Sequence, residues 1–379
     1  MVSYFCASPK EQDAKARNRQ GKARMEIKIV RTEKPKPKPR DSELSFGKQF
    51  ADHMFNMDYT REHGWRNARI EPYGPIMMDP ATMVLHYGQA IFEGLKAYRT
   101  TTRSIRLFRP MDNLVRLNAS ARMLCIPEIN TEFAFSALQE LLAIDKEWIP
   151  GLPGTSLYIR PTIVAMDPYL GVRPSHTYRF FIILCPVGAY YPEGFNPVKI
   201  WVTDKYVRAV RGGVGMAKTA GNYGASLRAA EEAKEKGYTQ VLWLDGVERK
   251  YIEEVGTMNI FFAIGDTLVT PVLQGSILAG ITRDSVIKIA REWGIPVEER
   301  PITIDEVMAA HDNGMLQEIF GSGTAAVISP VSELAWKDRV IRIKDGTVGP
   351  LAKRLHNEIT AIQYGEAEDR FGWVVSSEP

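Results

Sequence analysis

Large apolar residues are sparse and without period through residues 1–45, and from Phe46 onward short apolar runs alternate with stretches of helical spacing. Runs at 89–98, 105–108, 156–165 and 178–187 have the length and the β-branched or aromatic content of buried strands. Apolar residues three and four apart predict helices over 111–124 and 133–148. Pro110 sits in the opening turn of the first, where a missing N–H is tolerated. In the second half, strands are expected at 198–202, 240–244, 251–255, 259–264 and 267–271. Helices are expected over 223–236 and 282–293, stopped by Gly237 and Gly294. The alternation predicts an α/β (α+β-like) fold in two domains, a smaller one at 46–187 and a larger one at 198–379. A Gly-, Pro- and Tyr-rich boundary at 188–197 divides them. Two such domains place a small-molecule site in the cleft between them.

The start of the chain changes this picture little. Residues 1–45 are expected to be disordered or extended; 1–24 lack the apolar stretch of a secretory signal, and Met25 is an alternative start. KPKPKP at 34–39 predicts extended polyproline II. A net charge of +3, partly contributed by that segment, argues against a basic face for nucleic acid. Cys6, Cys125 and Cys185 form no CxxC pair, and His53, His63, His86, His176, His311 and His356 are scattered, so neither a disulfide framework nor a metal site is expected. The longest apolar run, 180–185, is far short of the roughly 20 residues of a membrane helix. A cytoplasmic protein without membrane partners is the expectation.

Chemistry concentrates in a few glycine-rich blocks. RGGVGMAKTAGNYG (211–224) surrounds Lys218 with small residues and has no amphipathic period. Small neighbours let something bulky approach the backbone, and a lysine held there loses its proton more readily than one in water. The same block comes within one residue of a phosphate-binding P-loop. Ala217 replaces the second glycine, however, and two arginines precede it where a buried strand is required. AGITRDS (279–285) opens a helix whose free N–H groups suit an anion. FGSGT (320–324) is a turn able to cup a carboxylate. Glu253 and Glu254 are adjacent in a strand, so only one of them is expected to face a ligand.

Seven blocks in order, VLHYGQAIFEGLKAY (84–98), RLFRP (106–110), SLYIRPT (156–162), KYVR (205–208), the 218–224 block, EEVGTMN (253–259) and FGSGT (320–324), together resemble the branched-chain amino acid aminotransferases. These are fold-type IV pyridoxal-phosphate enzymes with a two-domain, D-amino acid aminotransferase-like fold. The resemblance implies that 198–379 is the cofactor-binding domain and that Lys218 carries pyridoxal 5'-phosphate. Glu254 would face the pyridine nitrogen and Tyr223 the phenolic oxygen. Arg109, Arg208, Thr257, Ile281, Thr282 and Thr324 would hold the phosphate or stand beside it. Phe92, Tyr158 and Tyr190 would form an aromatic substrate cage, with Arg160 serving glutamate and the N–H groups of Thr324 and Ala325 the α-carboxylate. Tyr87 and Leu170 would come from a partner subunit, so a homodimer or higher homo-oligomer is implied. The implied reaction passes the amino group of L-leucine, L-isoleucine or L-valine to 2-oxoglutarate, giving L-glutamate. A D-amino acid aminotransferase of the same fold is the alternative. Mammalian relatives carry a redox CxxC after the phosphate-site threonine; Ala325 and Ala326 follow Thr324 here, with no thiol.

Overall fold

The computed structural model describes residues 25–188 and 195–377. The expectation of disorder for 1–24, the residues 189–194 of the expected boundary, and Tyr190 lie outside them. The first half contains β1 (Lys28–Ile29), β2 (His53–Thr60), β3 (Gly64–Pro72), α1 (Met83–Tyr87), β4 (Ala90–Phe92), β5 (Leu95–Arg99) and β6 (Ile105–Phe108). It continues with α2 (Pro110–Met123), α3 (Thr131–Ile144), β7 (Ser156–Ala165) and β8 (Thr177–Val187). The second half runs β9 (Val198–Thr203), α4 (Ala220–Glu235), β10 (Gln240–Leu244), β11 (Ile252–Val255), β12 (Asn259–Ile264) and β13 (Thr267–Thr270). Then come α5 (Ile281–Glu292), β14 (Val297–Glu299), α6 (Ile304–Asp312), β15 (Leu316–Gly323), β16 (Val327–Trp336), β17 (Arg339–Arg342), α7 (Pro350–Tyr364) and β18 (Val374–Ser377).

These strands form two mixed sheets, in the orders β1-β3-β2-β8-β7-β5-β6-β18 and β11-β10-β9-β16-β15-β12-β13-β14, with β4 on β7 and β17 on β16. The α/β architecture expected from the pattern is the one adopted. The last strand, β18, returns to pair with β6 of the first sheet, so the chain beyond 198 is not confined to the second sheet.

Packing explains the helices of the first half. On α2 the buried residues Asn113, Leu114, Leu117, Ser120 and Ala121 fall three and four apart, and on α3 Ala134, Ala137, Leu138, Leu141 and Leu142 do the same. Both faces meet Phe55, Phe180, Ile182 and Leu184 of the sheet in one core. Each large apolar side chain buried there contributes about 1.5–3 kcal/mol. Asn130 caps α3 by accepting a 2.8 Å bond from the Phe133 N–H, and the helix ends at Ile144, with the rest of the expected 133–148 span taken by a short 3-10 turn. The expected strand 89–98 is two strands: β4 and β5 pair with different stretches of β7 and break at Glu93–Gly94. The break brings Gly94 against Tyr158, whose Oη would lie 1.9 Å from a Cβ at that position.

The second sheet carries the adjacent glutamates on β11, at the end of a hairpin that one side chain organises. Asp245 accepts the N–H groups of Val247 and Glu248 at 3.0 and 2.7 Å and those of Lys250 and Tyr251 at 3.0 and 2.9 Å. Burial pushes this carboxyl up, and the four N–H bonds outweigh it and hold it below the ordinary aspartate range. A depressed carboxyl stabilises the fold above its unfolded pKa, and that contribution is lost as pH falls through the folded value. Asp245→Ala should therefore cost roughly 1–3 kcal/mol at neutral pH in chemical denaturation. The gap to the unaltered protein should narrow in acid; an undiminished gap at low pH would contradict this account.

Candidate active site

Lys218 stands at the junction of the two sheets. Its backbone is tied to the first: the Phe92 N–H donates to its carbonyl at 3.0 Å, its own N–H donates to Ser120 Oγ at 2.9 Å, and Thr219 Oγ1 donates to the Ala90 carbonyl at 2.7 Å. Its side chain is turned into α4, where Nζ donates to Tyr223 Oη at 2.8 Å. Lys218 is partly accessible along the wall of a cavity of about 480 Å3. That volume is within the size range of small-molecule pockets, roughly 300–1,000 Å3. Burial, helped by the nearby Arg116 guanidinium, lowers the lysine below its ordinary pKa. Tyr223 is pushed up to about 12, by burial first and by Glu254 next. The pair is therefore an amine that sheds its proton readily and a phenol that keeps its own.

Charged groups surround this pair. Arg116, on the buried face of α2, grips Glu93 through Nε at 2.7 Å and Nη2 at 2.8 Å, and donates from Nη1 to the Ala279 carbonyl at 3.0 Å. Glu93 is fully buried at the β4–β5 break, so removing either partner would strand a charge. Glu254 also sits buried, in a small pocket with Arg208, Tyr223 and Thr257; it accepts the Leu278 N–H at 2.7 Å and pairs with Arg208 Nε at 3.2 Å. Burial raises its carboxyl, and Arg208 and the N–H only partly counter this. Glu253 points to the other face of β11, where Ser276 donates to it. Both glutamates are buried, and Glu254 is the one beside Tyr223.

Opposite the lysine the wall is made of backbone. Gly280 precedes the first residue of α5, and a Cβ there would lie 1.9 Å from Asn259 Oδ1, so a side chain would force Asn259 from its place against the Leu278 carbonyl. Ile281 and Thr282 follow in the first helical turn and line the cavity, where a helix presents unpaired N–H groups to an anion. The Ser322–Ala326 turn closes the far side, and Lys96, buried on β5, steadies it by donating to the Ala325 carbonyl at 2.8 Å. Phe92, Tyr158 and Arg160 form the remaining wall, with the guanidinium 4.5 Å above the Phe92 ring and donating to Tyr158 Oη at 3.1 Å. Among the described residues, Arg160 Nε and Ser322 Oγ are buried here without a hydrogen-bond partner. The arrangement offers an anion seat, a depressed-pKa amine and an apolar chamber in one space.

The family model for class IV aminotransferases matches residues 90–334. The chain is 57% identical, over 347 residues, to the branched-chain-amino-acid aminotransferase 2 of Bacillus subtilis, covering 92% of this chain and 96% of that protein. The chain belongs to the class IV aminotransferases. Among solved structures, the branched-chain amino acid aminotransferase of Escherichia coli aligns with a TM-score of 0.72 at 28% identity, covering 85% of this chain and 99% of the other. The T.th. branched-chain enzyme complexed with N-(5'-phosphopyridoxyl)-L-glutamate aligns with a TM-score of 0.69 at 28% identity, covering 85% and 98%.

The aminotransferase fold brings together most of the residues expected at the site: Phe92, Tyr158, Arg160, Lys218, Tyr223, Thr257, Ile281, Thr282, Thr324 and Ala325 share the Lys218 cavity, and Arg208 and Glu254 the adjoining pocket. Arg109 does not line the cavity but meets the first turn of α5 beside it. It sits in left-handed conformation at the start of α2, with Nε on Asp112 and Nη1 on Asp284, each at 2.6 Å, and Nη1 also on the Ile281 carbonyl at 3.2 Å and Ser285 Oγ at 3.0 Å. The cavity wall itself carries a further arginine, Arg116. The sequence signal for it was an arginine in register with the buried Asn113 and Ser120, since a charge on the buried face of a helix requires a partner. Tyr87 and Leu170 are exposed and off this cavity, tied to each other by the Tyr87 hydroxyl on the Leu170 carbonyl.

Two expected outcomes follow from this geometry. Arg116→Gln should destabilise the protein to chemical denaturant by roughly 3–5 kcal/mol, because it leaves the fully buried Glu93 without its cation. Arg109→Gln, whose partners Asp112 and Asp284 are partly exposed, should cost less; equal losses would refute the distinction. In cofactor-free protein, reductive labelling of Lys218 by a small aldehyde should reach its plateau rate at a pH below that of the exposed lysines, read by peptide mass spectrometry. A plateau coincident with theirs would show that burial does not shift this amine.

Proposed function

We propose that the chain binds pyridoxal 5'-phosphate at Lys218 and moves the amino group of L-leucine, L-isoleucine or L-valine to 2-oxoglutarate. The products are the branched 2-oxo acid and L-glutamate. The observation that carries this reading is the lysine of lowered pKa, 2.8 Å from Tyr223, in a cavity that opens onto both an anion-binding helix start and an aromatic wall. Relatives of 49–57% identity named as branched-chain enzymes favour it over a D-amino acid aminotransferase.

The residues present fit the cofactor. The Gly280 cradle leaves room where a Cβ would press on Asn259 Oδ1, Ile281, Thr282 and Thr324 would supply N–H partners for a phosphate, and Arg109, bonded to the Ile281 carbonyl, and Arg208 would be its cations. Glu254, held by Arg208 and the Leu278 N–H, is placed to keep a pyridine nitrogen protonated, and Tyr223 to donate to a phenolic oxygen. Pyridoxal phosphate, when bound, supplies an aldehyde for an amine to join and a ring that draws electrons from the substrate Cα. Lys218 Nζ would be the amine that holds it, and when free the same atom would take the substrate's Cα proton and return one, a task suited to an amine whose pKa burial has lowered. Thr324 and Ala325 offer backbone N–H groups to the α-carboxylate. Phe92 and Tyr158 exclude water from an aliphatic side chain, and Arg160 receives the second carboxylate of glutamate.

A homodimer is part of the proposal. Leu85, Tyr87, Tyr169, Leu170 and Val172 are apolar or aromatic and exposed together around α1 and the loop after β7. A patch of that kind marks an interaction surface, and Tyr87 and Leu170 would complete the neighbouring subunit's pocket.

Purified protein with cofactor should show a near-visible band that collapses with L-leucine and returns with 2-oxoglutarate. A band that answers only a D-amino acid would overturn the substrate. Lys218→Ala should abolish turnover, and Glu254→Gln should slow Cα proton removal severely while cofactor still binds. An unchanged rate in the second variant would remove Glu254 from its role.

A further inference from the structure

The turn that closes the far side of the Lys218 cavity lacks the residue its geometry calls for. β15 and β16 pair as far as Gly323 and Val327, so Thr324, Ala325 and Ala326 form the hairpin loop between them. A loop of that length commonly closes on a residue in left-handed conformation, a place suited to glycine. Val327 fills it instead, buried and at φ 62°, where a β-branched side chain crowds its own backbone. On the other flank Gly323 lies against Met258, whose Cγ would be 3.1 Å from a Cβ at that position. Backbone strained in this way persists only where its surroundings hold it.

Lys96 supplies a hold. It is buried on β5 and donates to the Ala325 carbonyl at 2.8 Å; among the described residues no other side chain is hydrogen-bonded to the backbone of Thr324, Ala325 or Ala326. Those three residues line the Lys218 cavity, and Lys96 lies outside that wall. The bond therefore draws a carbonyl oxygen off the cavity. A turn that relaxed Val327 toward an extended φ has to redirect its peptide groups, and a carbonyl oxygen turned inward repels a carboxylate where an N–H attracts it.

We propose that Lys96 is a positioning residue for the substrate α-carboxylate: it holds a strained turn in the arrangement that gives the cavity N–H groups and withholds the Ala325 carbonyl. The proposal rests on reading the Lys218 cavity as the active site. It assigns to a lysine behind that cavity the preference for a compound that carries a carboxylate over one that does not. The strain at Val327 is what the Lys96 bond works against.

The test is calorimetric titration of the protein loaded with pyridoxal phosphate, using two halves of leucine. 4-Methylpentanoate keeps the carboxylate and lacks the amino group; 3-methylbutylamine keeps the amino group and lacks the carboxylate. In Lys96→Met the acid should bind on the order of tenfold or more weaker, and the amine should change by no more than about twofold. Adding Val327→Gly, a residue that adopts left-handed backbone as readily as right-handed, should return several-fold of the lost affinity for the acid. A role for Lys96 in stability alone would weaken both compounds and gain nothing from the glycine. Lys96→Gln, one atom shorter in reach, gives the same reading should the methionine variant fail to hold cofactor. Equal losses for acid and amine, an unaltered affinity for the acid, or no recovery with Val327→Gly would each overturn the proposal. Failure of the functional reading would show earlier and separately, as a cofactor band in the unaltered protein that does not answer L-leucine.

Discussion

The arrangement depends on one constraint: Lys218 belongs by its backbone to the first sheet and by its side chain to the second. Three hydrogen bonds, through the Phe92 N–H, Ser120 Oγ and Thr219 Oγ1, fix the main chain against β4 and α2. From that anchor Nζ reaches Tyr223 on α4, while Glu254 lies on β11 and the anion seat on α5. A reactive group on rigid elements of both units has little freedom to drift, and pre-set geometry of this kind is worth several kcal/mol to a reaction. Of the small residues around Lys218, Gly215 and Ala217 follow from the same constraint: Ala217 is buried, and a Cβ on Gly215 would meet the Ser276 carbonyl at 2.3 Å, whereas Gly212, Gly221 and Gly224 have open space around them.

Electrostatics then biases both groups without a dedicated base. Burial favours the neutral form of Lys218 and of Glu254. Arg208 opposes the second effect at 3.2 Å, and Arg116 reinforces the first from a position neutralised by Glu93. A buried ion pair is a poor source of net stability. The Arg116–Glu93 pair has a different use: it holds a cation at the cavity wall in fixed orientation while the bound carboxylate prevents its charge from destabilising the core.

Much of this was legible in the residue pattern, and the exceptions have physical causes. The strands of 156–165 and the run at 178–187 were readable because both faces are apolar enough to declare themselves. β2 and β3 were not predicted: β3 mixes buried Ala68 and Ile70 with exposed Arg66 and Asn67, and its pairing with β2 is irregular between Asn56 and Asp58. α7 escaped because its buried Leu355, Ile359 and Ile362 are interleaved with charges. Among site residues, Arg109 and Arg116 stand about two turns apart along one helix. Local spacing could not show that the first would bond Asp284, 175 residues away, or that the second would pair with Glu93 at the cavity wall. Glu253 and Glu254 illustrate the converse. Strand alternation correctly sends them to opposite faces, yet both are buried, because the outer face of β11 is covered and supplies Ser276.

The most instructive departure is the interrupted strand at 89–98. Its composition reads as one continuous run, and a continuous strand would have sent Glu93 and Gly94 to opposite faces in regular register with β7. The chain instead breaks there: the Glu93 N–H turns to the Pro161 carbonyl, its carboxylate turns to Arg116, and Gly94 admits the Tyr158 ring to a distance no side chain would allow. Regular ladder pairing is given up at that point, and the site gains the cation that faces the anion seat and the aromatic wall that faces the substrate chamber. A local pattern overridden at one dipeptide, with compensating polar contacts on either side, is what is expected where a fold serves chemistry in preference to regularity. The same dipeptide lies two residues from Lys96, so the break that sets Phe92 and Gly94 on the Lys218 cavity leads directly into the strand whose lysine steadies the carboxylate turn from behind.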